Sequence, residues 1–148
     1  MAEPIRAITI TRVFDAPRER VWQEWTEPAR FADWFGGAAA EVPLASVAMD
    51  VRAGGGWRLT MFAGPERREI RWWGAYREVD APERLVFTIS DQPEDAEVHV
   101  VTVVLDDLGD GRTEMRFEQR GRMPPEQVEA AGSGWGRFFD RIAERLAA

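Results

Sequence analysis

Acid–base chemistry in this chain would depend on one imidazole, because its 148 residues contain a single histidine, His99. Histidine titrates near physiological pH, so a histidine inside a pocket can act as a general acid or base. His99 lies among valines in a strand-like segment, and no partnering motif accompanies it. A histidine that bonds a neighbour or faces solvent is therefore the interpretation that the sequence favours, and the catalytic role stays open.

Other catalytic signatures are missing from the sequence. The absence of cysteine excludes disulfides, thiol catalysis and thiolate metal ligands. The glycines at 54–56 lead into a strand-like segment and lack the Lys-Ser/Thr of a phosphate-binding loop. No Ser-His-Asp order, zinc motif or pair of converging acids stands out. We assign no catalytic residue, no metal site and no cofactor, and we favour a binding protein over an enzyme.

Two polar residues interrupt apolar strand patterns. Arg12 lies on the same strand face as Ile8 and Ile10, and we expect it to form a salt bridge at the rim of the core. Gln119 shares a face with Met115 and is the better candidate to orient a molecule inside a cavity. The candidate partners for the salt bridge of Arg12 are the carboxylates of Glu69, Glu114 and Glu118.

Composition narrows the classes of protein. The net charge of -7 argues against nucleic-acid binding, which needs a clustered basic surface. The amino terminus has no apolar signal core, and no apolar run approaches membrane-spanning length. We therefore expect one domain over residues 1–148, no membrane span, and a cytoplasmic location by default.

The elements that must position these residues follow from the periodicity of apolar residues. Alternation over 6–14 predicts a strand, and Pro17 and Pro28 each suit the first turn of a short helix. The stretch 38–45 is expected to be irregular. From about 47 to 121, alternating apolar residues and turn signals predict a run of about six strands.

The last third of the chain predicts a long aromatic helix. Trp135, Phe138, Phe139, Ile142 and Leu146 recur at helical spacing. Pro124-Pro125 begins this helical region, and we expect the glycines of the Gly132-Ser133-Gly134 turn to interrupt it. A sheet of this length tends to curl, and a helix can cover its concave face and leave a pocket at the junction.

Six segments together resemble a known family. They occur in the family's order and spacing over nearly the whole chain, and they are ITRVFDAP (10–17), VWQEWTEP (21–28), WFGG (34–37), DVRAGGGW (50–57), GAYREVDAPERL (74–85) and GWG (134–136). The chain is thereby identified as a member of the SRPBCC superfamily, also called START-like or birch-pollen-allergen-like. Within it, the chain is most similar to homologues of the heat-shock chaperone ATPase activator.

The resemblance implies an α+β helix-grip fold. A curved antiparallel sheet of about six or seven strands would wrap around the long C-terminal helix, with two short helices after the first strand. Members of the superfamily bind lipids, sterols, polyketides or plant hormones in an apolar cavity, and some are cyclases or dehydratases. The chaperone-activating role of the eukaryotic namesake, which has an additional N-terminal domain, is only weakly implied.

These considerations predict a binding site for a small hydrophobic molecule between the sheet and the C-terminal helix. The alternatives are a polyketide cyclase- or dehydratase-like enzyme and a chaperone-interacting partner protein, and an exposed edge strand would also allow a homodimer. The residues predicted to line the site are Trp34, Trp57, Met61, Trp72, Tyr76, Phe87, His99, Phe117, Gln119, Trp135, Phe138 and Phe139. Each aromatic residue among them could instead belong to a solid core.

Overall fold

An antiparallel sheet packed against a long C-terminal helix organises the computed structural model, which describes residues 3–93 and 97–147. Within those residues the sheet has eight strands, two of them only two residues long. The strands are β1 (Ile5–Phe14), β2 (Ala40–Glu41), β3 (Ala48–Met49), β4 (Gly56–Ala63), β5 (Arg68–Asp80), β6 (Arg84–Ile89), β7 (His99–Asp107) and β8 (Thr113–Arg122).

The strand order places the first strand beside the last. Across the sheet it is β1-β8-β7-β6-β5-β4-β2, with β3 also paired to β4. The strands from β4 to β8 form a meander, and β1 closes the far side by pairing with β8 along its whole length. The predicted helix-grip fold is confirmed.

The inward faces of β4 and β8 follow the alternation of their apolar residues. Trp57, Leu59 and Met61 of β4 are buried, and so are Met115 and Phe117 of β8. Strand β7 is apolar on both faces, but only one of its faces is fully buried. Its residues Val101, Val103 and Leu105 point into the core.

Three helices accompany the sheet. Pro17 caps α1 (Arg18–Thr26), Pro28 is the first residue of α2 (Pro28–Trp34), and the last element is α3 (Pro125–Ala147). None of the helices in the described part of the chain has the length and apolar character that crossing a membrane requires.

Two segments differ from the sequence-based expectations. The stretch 38–45 is more regular than expected, since it contains β2 between the single-turn 3-10 helices Gly37–Ala39 and Leu44–Ser46. The strand expected at 47–51 shrinks to β3, because the backbone turns at Asp50 and Arg52.

The expected break at Gly132-Ser133-Gly134 is wrong, because α3 runs through these glycines without interruption. A β-carbon at Gly134 or Gly136 would meet no atom within 4 Å outside the helix's own backbone. Packing therefore does not require glycine at either position. The buried residues of the second half, from Trp135 to Leu146, hold the helix in place despite the low helix propensity of glycine.

An aromatic cluster fills the middle of the space between sheet and helices. Its centre is Trp25 of α1, which is 1% exposed. The ring centroids of its neighbours lie 4.8 to 6.4 Å away, at distances typical of favourable aromatic pairs. These neighbours come from α2, β6, β8 and α3, and they are Phe31, Trp34, Phe87, Phe117, Trp135 and Phe139.

A buried ion pair fastens the end of α3 beside this cluster. Glu24 of α1 is buried, and its Oε1 accepts a hydrogen bond of 2.6 Å from Nε of Arg145. Arg145 also pairs with Asp33, and Arg30 lies 3.6 Å from the Glu24 carboxylate. The guanidinium of Arg145 thus joins the last turn of α3 to a buried carboxylate of α1.

Arg12 forms the expected salt bridge, but with a residue that the sequence did not single out. Its Nη2 lies 2.8 Å from Oδ1 of Asp140 and donates to the carbonyl of Gly136 at 3.1 Å. Strand β1 is thereby joined to the middle of α3. Glu69 instead pairs with Arg71, while Glu114 and Glu118 pair with Arg116 and Arg120.

The open space around Gly136 generates a prediction. We expect Gly136→Ala to raise the free energy of unfolding by about 0.5–1 kcal/mol, because alanine loses less conformational entropy in a helix. As a contrast, Gly74→Ala should destabilise, since its β-carbon would overlap the carbonyl oxygen of Thr88. Urea denaturation measures both, and a destabilising Gly136→Ala would contradict the unobstructed geometry.

The Glu24–Arg145 pair generates a second prediction. Glu24→Gln should lower the free energy of unfolding by about 3 kcal/mol, because Arg145 loses the buried charge that it neutralises. The matched control is Glu27→Gln, which removes an exposed partner of Arg30 and should cost under about 1 kcal/mol. Equal shifts in the urea midpoints of the two variants would show that the pair is not a specific anchor.

Candidate functional site

A cavity of about 520 Å³ opens at one end of the groove between the sheet and α3. The end of β6, the start of β7 and the end of β8 meet at this edge of the antiparallel sheet. The first half of α3 covers the opening. Fifteen residues line the cavity: Phe35, Trp72, Ile89, Ser90, Asp91, Gln92, Glu97, His99, Gln119, Arg122, Gln127, Ala131, Gly134, Trp135 and Phe138.

The inner wall of the cavity is aromatic. Phe35 lies at the centre of this wall, with ring centroids 5.7 Å from Trp72, 5.9 Å from Trp135 and 5.5 Å from Phe138. Side chains from α2's end, β5 and α3 therefore form one continuous apolar surface. Such a surface binds flat apolar molecules by burying area and by ring contacts.

The mouth of the cavity is polar and exposed. It is formed by Asp91, Gln92, Glu97, Arg122 and Gln127. The guanidinium of Arg122 donates to Oε1 of Glu97 at 3.2 Å and to the carbonyl of Glu3 at 3.2 Å. Asp91 accepts a hydrogen bond of 3.0 Å from the side chain of Gln92. An aromatic interior with a polar mouth is a common form of small-molecule site.

A chain of three hydrogen bonds crosses from α3 to the edge of the sheet. Trp135 Nε1 donates to Oε1 of Gln119 at 2.7 Å, and Gln119 Nε2 lies 2.7 Å from Nδ1 of His99. His99 Nε2 lies 3.2 Å from the carbonyl oxygen of Arg122. Gln119 is only 7% exposed, so the bonds to Trp135 and His99 satisfy a buried amide.

The chain of bonds determines the orientation of each group. The indole N–H of Trp135 can only donate, so the nearer atom of the Gln119 amide is its oxygen. The amide nitrogen then faces His99, whose Nδ1 must accept. The carbonyl of Arg122 can only accept, so Nε2 carries the proton. His99 is therefore the neutral Nε2–H tautomer, with both ring nitrogens engaged by the protein.

Gly121 makes the position of His99 possible. The imidazole lies directly over this residue of β8, and a β-carbon there would overlap the ring. Glycine in a strand often marks such a close approach. The sequence predicted His99 on the inward face of β7, and its ring lies at the edge of the cavity.

The structure brings together five of the twelve residues predicted to line the site: Trp72, His99, Gln119, Trp135 and Phe138. The other seven are buried away from this cavity: Trp34, Trp57, Met61, Tyr76, Phe87, Phe117 and Phe139. Among these, Trp57, Tyr76 and Phe87 surround a gap beside Trp25 that has no room for a water molecule. The aromatic stripe is thus partly cavity wall and partly solid core.

Tyr76 is one of the residues that the sequence predicted to line the site. Its side chain is buried beside Trp57 and Phe87 and does not reach the cavity. Burial raises the pKa of its hydroxyl well above the ordinary value, and the charge of Asp50 raises it further. Tyr76 is therefore a protonated phenol at neutral pH and does not supply a base.

Sequence reasoning missed ten of the residues that line the cavity. Three of them, Gln127, Ala131 and Gly134, continue the helical face of Trp135 and Phe138 at intervals of three and four residues. An uninterrupted helix from Pro125 would have predicted them. Six of the other seven lie at or next to strand ends, at 89–92, 97 and 122. The seventh is Phe35, which directly follows α2. Only the pairing of the strands brings them together.

Metal binding finds no support in the part of the chain that the structure describes. No group of three or more histidine or carboxylate side chains converges there. The carboxylates at the mouth are engaged by Arg122 and Gln92.

The hydrogen bond from Trp135 to Gln119 generates a prediction. Trp135→Phe keeps an aromatic side chain but removes the pyrrole part of the indole with its N–H donor. The substitution leaves a buried amide oxygen without this partner, so we expect the free energy of unfolding to fall by at least about 1–3 kcal/mol. Trp73→Phe is the matched control, since Trp73 Nε1 donates to an exposed carbonyl of Gln92 at 2.7 Å. Urea denaturation should show a clearly smaller effect there, and equal effects would contradict the role assigned to Gln119.

Comparisons with solved structures find the same fold in several bacterial proteins. Protein CV1439 from Chromobacterium violaceum is 25% identical, with a TM-score of 0.81 over 96% of this chain and 97% of that chain. The AHSA1 (SPO3351) protein from Silicibacter pomeroyi is 19% identical, with a TM-score of 0.84 over 96% and 98%. The protein of unknown function SA2116 from Staphylococcus aureus is 19% identical, with a TM-score of 0.85 over 98% and 95%.

Sequence comparison provides the family. None of the curated proteins compared with this chain matches it. The family model described as activator of Hsp90 ATPase homolog 1-like protein matches residues 15–147, which is nearly the whole chain. The protein therefore belongs to the family of proteins like activator of Hsp90 ATPase homolog 1, within the SRPBCC type.

Proposed function

We propose that this protein binds a small, mainly apolar molecule in the cavity between the sheet and α3. The observation that carries the proposal is the cavity of about 520 Å³, with its aromatic inner wall and polar mouth. Its volume lies in the usual range of sites for drug-sized molecules. The family also has a fold suited to hydrophobic ligands, which supports the proposal.

Burial of apolar area would supply most of the affinity. A flat molecule against this wall would displace water mainly from Trp72 and Phe138, because Phe35 and Trp135 are already buried. Gln119 would orient it, because this amide lines the cavity and is held rigidly by Trp135 and His99. A pre-oriented polar group costs little entropy when a ligand binds.

The geometry favours binding over acid–base catalysis. Both nitrogens of His99 are hydrogen-bonded within the protein, and Tyr76 lies outside the cavity. The carboxylates of Asp91 and Glu97 are at the exposed mouth rather than in the interior. The described residues therefore offer no buried, unengaged acid or base of the kind that a cyclase or dehydratase needs.

A role as a chaperone partner has no comparable support. Such a role would call for a contiguous exposed apolar patch. Among the described residues, the exposed large apolar side chains are Ile5, Val13, Leu44 and Leu108, which are dispersed over β1 and two separate loops. The cavity is the better-formed feature.

A matched pair of substitutions on α3 tests the proposal. Ala131 lines the cavity and Ala130 is exposed one position earlier. We expect Ala131→Phe to fill the cavity and weaken binding of the uncharged probe N-phenyl-1-naphthylamine by at least about tenfold, whereas Ala130→Phe should leave it unchanged. The increase in probe fluorescence on titration gives both affinities, and circular dichroism confirms folding.

The outcomes of this test are clear. Loss of binding in Ala131→Phe alone supports a ligand site in the cavity. Equal affinities in all three proteins, or no binding by the unmodified protein, would contradict it. Native mass spectrometry of the freshly purified protein, followed by organic extraction, would then identify the mass of any ligand that co-purifies.

A further inference from the structure

The charges around the cavity restrict the ligands that it can accept. Among the described lining residues, Arg122 is the one cation, and its guanidinium is already engaged by Glu97 and by the carbonyl of Glu3. Asp91 is a second carboxylate at the mouth, and no arginine in the described part of the chain pairs with it. Two carboxylates against one guanidinium leave the mouth with one net negative charge.

Among the residues that the structure describes, none in the interior provides a positive charge either. His99 is the Nε2–H tautomer, since Nδ1 accepts from Gln119 and Nε2 donates to the carbonyl of Arg122. An anionic group inside the cavity would therefore lose its hydration without meeting a cation. Near the mouth it would be repelled by Asp91.

Gln119 offers a neutral partner instead. Its oxygen accepts from Trp135 with one of two lone pairs, and its nitrogen donates one of two protons to His99. One acceptor position and one donor position of this buried amide remain. They complement an uncharged group that both donates and accepts, such as a carboxamide or a hydroxyl.

We propose that the cavity selects uncharged ring-bearing molecules with a carboxamide or hydroxyl group, and that it discriminates against the corresponding carboxylates. This inference rests on the proposed binding function and adds the charge class of the ligand. The discrimination arises from the pairing of Arg122 by Glu97, from the neutral state of His99 and from the unpaired Asp91. The aromatic wall contacts a flat ring equally well whether the ligand's polar group is neutral or charged.

Two probes of nearly the same shape test the inference. 2-Naphthamide and 2-naphthoate differ in the charge of the polar group, and both can compete with N-phenyl-1-naphthylamine. We expect 2-naphthamide to displace the fluorescent probe at a concentration at least about tenfold lower than 2-naphthoate needs. Equal or stronger competition by 2-naphthoate would overturn the inference while leaving the proposed function intact.

A substitution at the mouth separates a specific site from the general preference of apolar pockets for neutral molecules. Glu97→Gln removes the carboxylate that pairs with Arg122, so it should strengthen competition by 2-naphthoate, relative to competition by 2-naphthamide, at least about threefold. Glu66→Gln is the matched control, because it makes the same charge change at an exposed turn outside the cavity lining.

The remaining outcomes distinguish the two proposals. If Glu97→Gln and Glu66→Gln change the ratio of the two affinities equally, the local role of Arg122 and Glu97 is wrong. If N-phenyl-1-naphthylamine binds but neither naphthalene derivative displaces it, the inference fails and the binding function stands. If the fluorescent probe does not bind at all, both fail together.

Discussion

The space between a curved sheet and a helix must be filled, and in this protein Trp25 fills its middle. The indole contacts rings from both other helices and from two central strands, so sheet and helices share one aromatic core around it. Because the middle is solid, the cavity of about 520 Å³ lies at the end of the groove rather than in its centre. The location of the candidate site is therefore a consequence of this packing.

Polar contacts then hold α3 in the position that the aromatic core requires. The Glu24–Arg145 pair fixes its C-terminal end, Arg12 joins Asp140 in its middle, and Trp135 bonds to Gln119 beside the cavity. Before Trp135 the helix has no buried residue, although it forms one side of the cavity. Glu24 and Gln119 are buried, so losing the partner of either one is strongly destabilising, and these two contacts also restrict how the helix can sit on the sheet.

Much of the architecture was predictable from local patterns. The alternation in β4 and β8 and the helical spacing after Trp135 indicated the inward faces, because burial of apolar side chains dominates those elements. The glycines of α3 misled the prediction. Their low helix propensity is a local quantity, and the buried residues that follow Trp135 overcome it. The partner of Arg12 was also missed, since Asp140 is 128 residues away in the chain.

The sequence by itself determined the helix-grip fold, the family, and the aromatic and polar residue types from which a site could be built. It placed Gln119 on the same face as Met115, because strand parity is a local property. Only the tertiary structure decided which aromatic residues form a solid core and which form a cavity wall. That division depends on how side chains from separate elements fill a shared volume. It also decided that Gln119, His99 and Trp135 bond in one chain, because hydrogen-bond geometry depends on where distant elements place their atoms.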